Sequence, residues 1–552
     1  MWRFIDVRKI YRISWMGIRP RTKGLSSCVH RAWDGEEREI MTEEPGAATP
    51  LVEIPAGRLR GIVEGGVAVF KGVPYAAPPV SELRWRPAQP HPGWTGVREA
   101  TDFGPSAPQM FKENGDPVLG EHGSPPFDDD CLTLNVWTPA VDDARRPVMV
   151  WIHGGGFVSG SGSLPYYSGE TFARNGDIVV VTLNYRVGPL GFLYFGPDHG
   201  EPESGNFWLT DQAAALRWVH ENIAHFGGDP DNVTVAGQSG GAISTAALAG
   251  HPAAQGLFHR AILQSAPFGL QIPDPQACAE VTETFLKIVG ASDIEALRQV
   301  PWPRLVEATG ALFGATARWG YWPTPFLPVI DGVTLSRHPG ETLLCDGGAD
   351  IEVMIGWTRD ESNFSFARTG AGYETATKEQ VIGRIADTFG GDASEVYAAY
   401  ERTRPGSRPV DVLMDLISDE LFRVPSLRLA DARAQMGRPV WAYQFDFETP
   451  AHQGRLGAAH CLELPFVFNN FGNWSRAPFL EGIEPAARQG LAQSMHQAWI
   501  SFVRDGNPNH PGLPEWAPYE ADTRTTLRFD SVVSAISDLA GHSRMLHSRA
   551  SR

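Results

Sequence analysis

The chain has 552 residues, 42% of them hydrophobic and 20% charged, with a formal charge of −17. That length suits one large core with loop insertions or several smaller domains, and acidic residues interspersed along it exclude a phosphate-tracking surface, so nucleic acid is not an expected partner. No apolar run is long enough to span a membrane, and Cys28, Cys131, Cys278, Cys345 and Cys461 are too scattered for a zinc or redox pair, so free thiols in a reducing compartment, the cytoplasm, are expected.

Residues 1–40 are basic, with Arg3, Arg8, Lys9, Arg12, Arg19, Arg21, Lys23 and Arg31 breaking every apolar stretch. Those breaks exclude the apolar centre of a secretory signal. A transit peptide is one reading; a disordered or wrongly assigned extension is the one we favour, because "MTEEPGAATPLVEIPAGRLRG" looks like a second, ordinary start at Met41. From 41 to 552 a single domain is expected, without internal repeats, low-complexity tracts or a long linker.

Pro147 to Ile152 is an apolar run that ends in the glycine loop "HGGGF"; Ile178 to Leu183 is another, and Val233, Val235 and Ala236 make a third. Such continuous runs predict strands of a buried, mostly parallel sheet. "DQAAALRWVHENIAHF" places Ala215, Trp218, Val219, Asn222 and Ile223 at helical spacing, and Asp211 stands where it would favour the helix N-terminus. Later strands are predicted in "RAILQSA", "IEVMIGWT" and "PVWAYQFDF". A last helix in "LAQSMHQAWISFVRDGNPN" carries Met495, Trp499 and Phe502 on one face and stops at Gly506. The alternation predicts an α/β fold with active loops at the strand ends.

Ser239 lies between glycines in Gly237-Gln238-Ser239-Gly240-Gly241, with a strand before it and the helical pattern of Ala242, Ile243 and Ala246 after it. This is either a nucleophile elbow or an ordinary glycine-rich strand-to-helix turn. A serine nucleophile needs a base, a group that orients the base, and donors for an oxyanion. Gly155 and Gly156 in "HGGGF", together with Gly240, are candidate N–H donors for such an oxyanion hole. The two patterns together are much less expected by chance than either alone. His220 and His225 fall on different helix faces, so no metal is expected, and the chemistry calls for no cofactor.

The segments "FKGVPYAAPPVSELRWRPAQP", "DDDCLTLNVWTP", "WIHGGGF", "NYRVGPLGFL", "LTDQAAALRWVHENIAHFGGDPDNVTVAGQSGG" and "HCLELPFVF" carry a resemblance. From about Leu51 to Asp530 the chain resembles the type B carboxylesterases. The resemblance implies an α/β-hydrolase fold: a mostly parallel central sheet flanked by helices, with large loop and helical insertions that form a gorge. It implies a serine hydrolase that cleaves carboxylic esters or aryl carbamates through Ser239, His460 and Glu361, the last in "GWTRDESNF". The segments "GQSGGA", "SDIEALRQVPWPRL" and "GWTRDE" are similar to carbamate-cleaving members. An amidase or anilide hydrolase would use the same machinery, and a non-catalytic cholinesterase-like binding module is a further alternative.

The resemblance also matches Arg84 and Asp130 to an ion pair and Ser265 to a buried serine near the acid. Gln238 and Gly240 replace the usual Glu and Ala, which removes a buried charge and keeps the N–H of residue 240. Ala107 stands where secreted members carry the disulfide partner of Cys131, so Cys131 is expected to be unpaired. In "ALFGATARWGYWPTPF", Phe313, Trp319, Tyr321, Trp322 and Phe326 either wall a gorge for a small aromatic ester or carbamate or simply pack in the core.

Overall fold

Valine and isoleucine fill Arg146–Ile152, Val179–Leu183 and the second half of Gly228–Gln238, and β-branched side chains fit a pleated, buried surface. In the computed structural model each of these segments is a strand. The structure describes residues 49–111, 115–120, 126–196, 205–322, 324–365 and 373–549. The expected extension at residues 1–40 lies outside them.

An 11-stranded sheet runs in the order Ser534–Ser537, Thr525–Phe529, Val440–Phe445, Glu352–Thr358, Arg260–Gln264, Gly228–Gln238, Arg146–Ile152, Val179–Leu183, Thr133–Thr138, Val67–Pro74, Ile62–Glu64. The strands from Thr525–Phe529 through Val179–Leu183 are parallel, and the outer ones are antiparallel. Gly228–Gln238 lies at the centre, paired with Arg260–Gln264 on one side and Arg146–Ile152 on the other. A small second sheet joins Leu51–Ile54, Gly57–Arg60 and Val97–Glu99.

Helices Phe207–Asn222, Gly240–Ala249 and Pro485–Asp505 flank the sheet. The last buries Met495, Trp499 and Phe502, as its spacing predicts, and stops at Gly506 in the left-handed conformation, φ 70°. Helices Pro275–Val289, Ile294–Arg298 and Trp302–Thr316 are inserted before Glu352–Thr358. Lys378–Phe389, Ala393–Thr403, Pro409–Ser418 and Val424–Gln435 are inserted after it. Among the described residues no helix is long and apolar enough to cross a membrane. Cys131, Cys278, Cys345 and Cys461 are free thiols.

Two expectations about charge are corrected. Asp211 does not serve the end of its helix, which begins at Phe207; it is fully buried and takes two hydrogen bonds from the Arg186 guanidinium, at 2.6 and 2.8 Å. The segment containing Arg186 is thereby fastened to the helix. Arg84 pairs with Asp129 rather than Asp130, because the N–H of Asp130 bonds the Asp128 side chain and leaves residue 130 exposed. The Arg186–Asp211 pair makes a test of stability. Removing one member strands a buried charge, so Asp211→Ala should destabilise the fold by about 3–5 kcal/mol, read as a lower urea midpoint.

Candidate active site

At the end of the central strand the backbone is crowded. A Cβ on Gly237 would lie 2.3 Å from the Gly241 carbonyl oxygen, and one on Gly241 would lie 2.1 Å from that of Ile152. Only glycine fits at both positions, and the turn between them is correspondingly tight. Ser239 occupies it with φ 58° and ψ −124°, a conformation that costs a non-glycine residue about 1–3 kcal/mol. Its N–H donates to the Gln264 carbonyl at 2.9 Å, and its own carbonyl accepts from Ala242 at the start of helix Gly240–Ala249. The side chain is therefore held at the sheet's C-terminal edge.

The loop after Arg146–Ile152 turns beside this elbow. A Cβ on Gly154 would lie 3.1 Å from that of Ser239, so the loop passes against the serine. The Gly155 carbonyl accepts from Val158 and Ser159, and Gly155 and Gly156 take φ values of 126° and 61°. Gly240 opens its helix, where an N–H has no intrahelical acceptor. His153 is buried and stacked on Tyr185 with centroids 4.4 Å apart, and burial lowers its pKa to about 4, so it is a neutral structural ring.

Glu361 and His460 come from loops that follow Glu352–Thr358 and Val440–Phe445. Glu361 is fully buried; its Oε1 accepts from the Thr358 N–H at 2.8 Å and its Oε2 lies 2.5 Å from His460 Nδ1. The two loops are zipped together by the residue before the acid. Asp360 N–H donates to the Ala458 carbonyl at 3.0 Å, and the Ala458 N–H donates back to Asp360 Oδ2 at 3.0 Å. Asp360 is itself buried; burial works to raise its pKa, but Arg359 and Arg404 outweigh that and hold it below the usual carboxylate range. Burial also opposes charge on His460, but the Cys461 sulfur and the Glu361 carboxylate hold the ring well above the usual histidine range.

Of the five aromatic candidates, Trp322 reaches this group, with its ring 6.5 Å from that of His460. Phe313 is buried in helix Trp302–Thr316, Trp319 packs against Tyr373, and Tyr321 bonds Asp387 and lies under Arg384 and Arg318. Phe326 is buried with its ring 6.4 Å from that of Phe285 in helix Pro275–Val289, so these four pack among the inserted helices. The sequence reading missed Phe422 and Phe364, whose rings lie 5.2 and 5.8 Å from His460. Phe422 sits on a π-helical turn, Asp419–Arg423, a departure that often marks functional positions. It also missed Glu463, fully buried, whose pKa is pushed up to about 7 by burial and then by Glu361. Ser265 is buried, and its N–H donates to the Gly356 carbonyl at 2.8 Å.

Comparison with known proteins matches this architecture. The sequence model described as the carboxylesterase family covers residues 48–543. The chain is 49% identical over 478 residues to a phenmedipham hydrolase of Pseudarthrobacter oxydans, covering 87% of this chain and 94% of that protein. It is 36% identical over 491 residues to the para-nitrobenzyl esterase of Bacillus subtilis, covering 88% and 96%. The crystal structure of carboxylesterase EST55 of Geobacillus stearothermophilus superposes with a TM-score of 0.80 at 39% identity, over 90% of this chain and 99% of that one. The chain belongs to the carboxylesterase family and has the α/β-hydrolase fold. It is a carboxylic ester hydrolase.

Substitutions test the roles expected of these neighbouring residues. Ser239→Ala should fold and lose about 10⁴- to 10⁶-fold in turnover, since such groups act as a unit. Glu361→Gln should lose less and should also move the acid limb of the kcat/KM profile to lower pH. The sign follows from the charge: the carboxylate raises the His460 pKa, a protonated ring is no base, and removing the charge lets the ring stay neutral at lower pH. Asp360→Asn should keep most of the activity while destabilising the protein by about 1–3 kcal/mol in urea titration, because it weakens hydrogen bonds to a buried charge.

Proposed function

We propose that the protein hydrolyses aryl esters and aryl carbamates through a covalent acyl-enzyme. Its own observation in support is the buried 2.5 Å contact between Glu361 and His460, on loops zipped together at the C-terminal edge of the sheet that carries the strained Ser239. His460 takes the Ser239 proton as Oγ attacks the carbonyl carbon, and Glu361 holds the ring's orientation and balances its charge. The N–H groups of Gly155, Gly156 and Gly240 receive the oxyanion. The imidazolium returns its proton to the departing oxygen. Water then attacks the acyl-serine with His460 again as base, and the free serine is restored.

That proton transfer bears on substrate class. The leaving group must depart beside His460, and the rings about His460 are Phe422, Phe364 and Trp322. Aromatic leaving groups pack favourably against such edges and faces. The similarity to a phenmedipham hydrolase supports a carbamate substrate. Free cysteines, buried at Cys131, Cys278 and Cys461, support a reducing compartment, the cytoplasm.

A carbamate separates two outcomes, because a carbamoyl-serine is attacked slowly by water. Phenol release from an aryl N-phenylcarbamate should continue over many enzyme equivalents. A burst equal to the enzyme concentration followed by silence, beside steady hydrolysis of a para-nitrophenyl ester, would confine the activity to esters. With the acyl group fixed, Phe422→Ala should lower kcat/KM for phenyl leaving groups roughly tenfold more than for ethyl. An equal loss for both would remove Phe422 from the leaving-group side.

A further inference from the structure

The remaining ring nitrogen of His460 has a partner outside the three residues above. Gln238, buried at the end of the central strand, brings its Nε2 to 3.1 Å from His460 Nε2 and 3.4 Å from Cys461 Sγ. An amide nitrogen donates and never accepts. In the neutral ring His460 Nε2 is therefore the acceptor, which puts the ring hydrogen on Nδ1, facing Glu361 Oε2. Contacts on two edges of the ring select one tautomer. It is the tautomer in which Nε2 keeps the lone pair that a base needs.

We propose that Gln238 is a positioning residue: its amide favours the neutral Nδ1–H form of His460 against the charges that favour the imidazolium, and it shifts to Cys461 Sγ as the Ser239 proton takes its place on Nε2. This rests on the reading of His460 as the base.

Charge around the ring makes such a device useful. Glu361 faces Nδ1 from the loop after Glu352–Thr358, and Cys461 and Glu463 face the ring from its own segment. Each of these favours the imidazolium when ionised. The other neighbours, Trp322 from the segment after helix Trp302–Thr316, Phe364 from beside Glu361 and Phe422 from the π turn, are uncharged. Against the carboxylates, Gln238 supplies a donor that only the neutral ring can accept. A hydrogen bond to the neutral form works against protonation. Moving the amide off Nε2 leaves it Cys461 Sγ as an acceptor, so the nitrogen is released without stranding a buried donor.

The test is the pH dependence of kcat/KM for a para-nitrophenyl ester in the wild type, Gln238→Met and Gln238→Glu. Methionine keeps the length and removes the donor, so the acid limb should move to higher pH with about a five- to tenfold loss in the pH-independent rate. Glutamate adds an anion beside the ring and should move the limb further, by about one pH unit or more. A limb unchanged in Gln238→Met, whether the rate falls uniformly or stays at the wild-type value, would overturn the proposal. If glutamate at this buried site prevents folding, the methionine variant still decides the sign. Retained activity in Ser239→Ala would count against the reading of the site as a whole; an inactive serine variant with pH-insensitive Gln238→Met counts against this inference alone.

Discussion

Everything at this site follows from how closely three backbones approach one another at the end of the central strand. Glycines at 237 and 241 bring strand, helix and the neighbouring strand's Ile152 carbonyl nearly into contact, and Ser239 is left with a positive φ in the turn. The strain is small against the stability of a large domain, and the sheet on both sides over-determines it. Its effect is to project one hydroxyl from the sheet's edge without a flexible loop. The glycine loop then packs against that residue at Gly154, which brings the proposed N–H donors and the serine to one corner.

The second requirement of the proposed mechanism is a base at the same edge, and here pairing between loops takes over from the sheet. Asp360 spends its carboxylate on Arg359, Arg404 and the Ala458 N–H, and so fixes the loop of Glu361 against the loop of His460. Neighbouring acids thus have opposite orientations and different work. Glu361 carries charge toward the ring, while Asp360 carries it toward arginines. The inserted helices contribute through the π turn, which is held by Tyr400 on Asp419 and by the Gly269 N–H on the Leu421 carbonyl, at 2.9 Å each, and which seats Phe422 on His460.

The parts of this arrangement legible in the sequence are those written locally. A serine between glycines, after valines and before alanines, specifies strand, turn and helix within a dozen residues, and the central parallel strands announce themselves as unbroken apolar runs. The small second sheet was missed because its segments Gly57–Arg60 and Val97–Glu99 are short and polar. Asp211 was misplaced because a carboxylate near a helix start looks like a terminal charge until Arg186, from a separate loop, is seen beside it. Glu361 and His460 were legible through family resemblance alone, since nothing in spacing brings residues 99 apart into contact. The aromatic stretch at 313–322 divides between His460 and the inserted helices according to contacts with His460, Tyr373 and Asp387 that no periodicity encodes. Gln238 lies 222 residues from the ring it holds.

The most direct measurement is covalent labelling of the native enzyme with a para-nitrophenyl phosphonate, followed by peptide mass mapping. A phosphonate mimics the tetrahedral adduct and requires nucleophile, base and oxyanion donors to act together. One equivalent of para-nitrophenol should be released, with a single adduct on Ser239 and activity lost in proportion. An adduct on another residue, or inactivation with Ser239 unmodified, would contradict the assignment of Ser239 as the nucleophile.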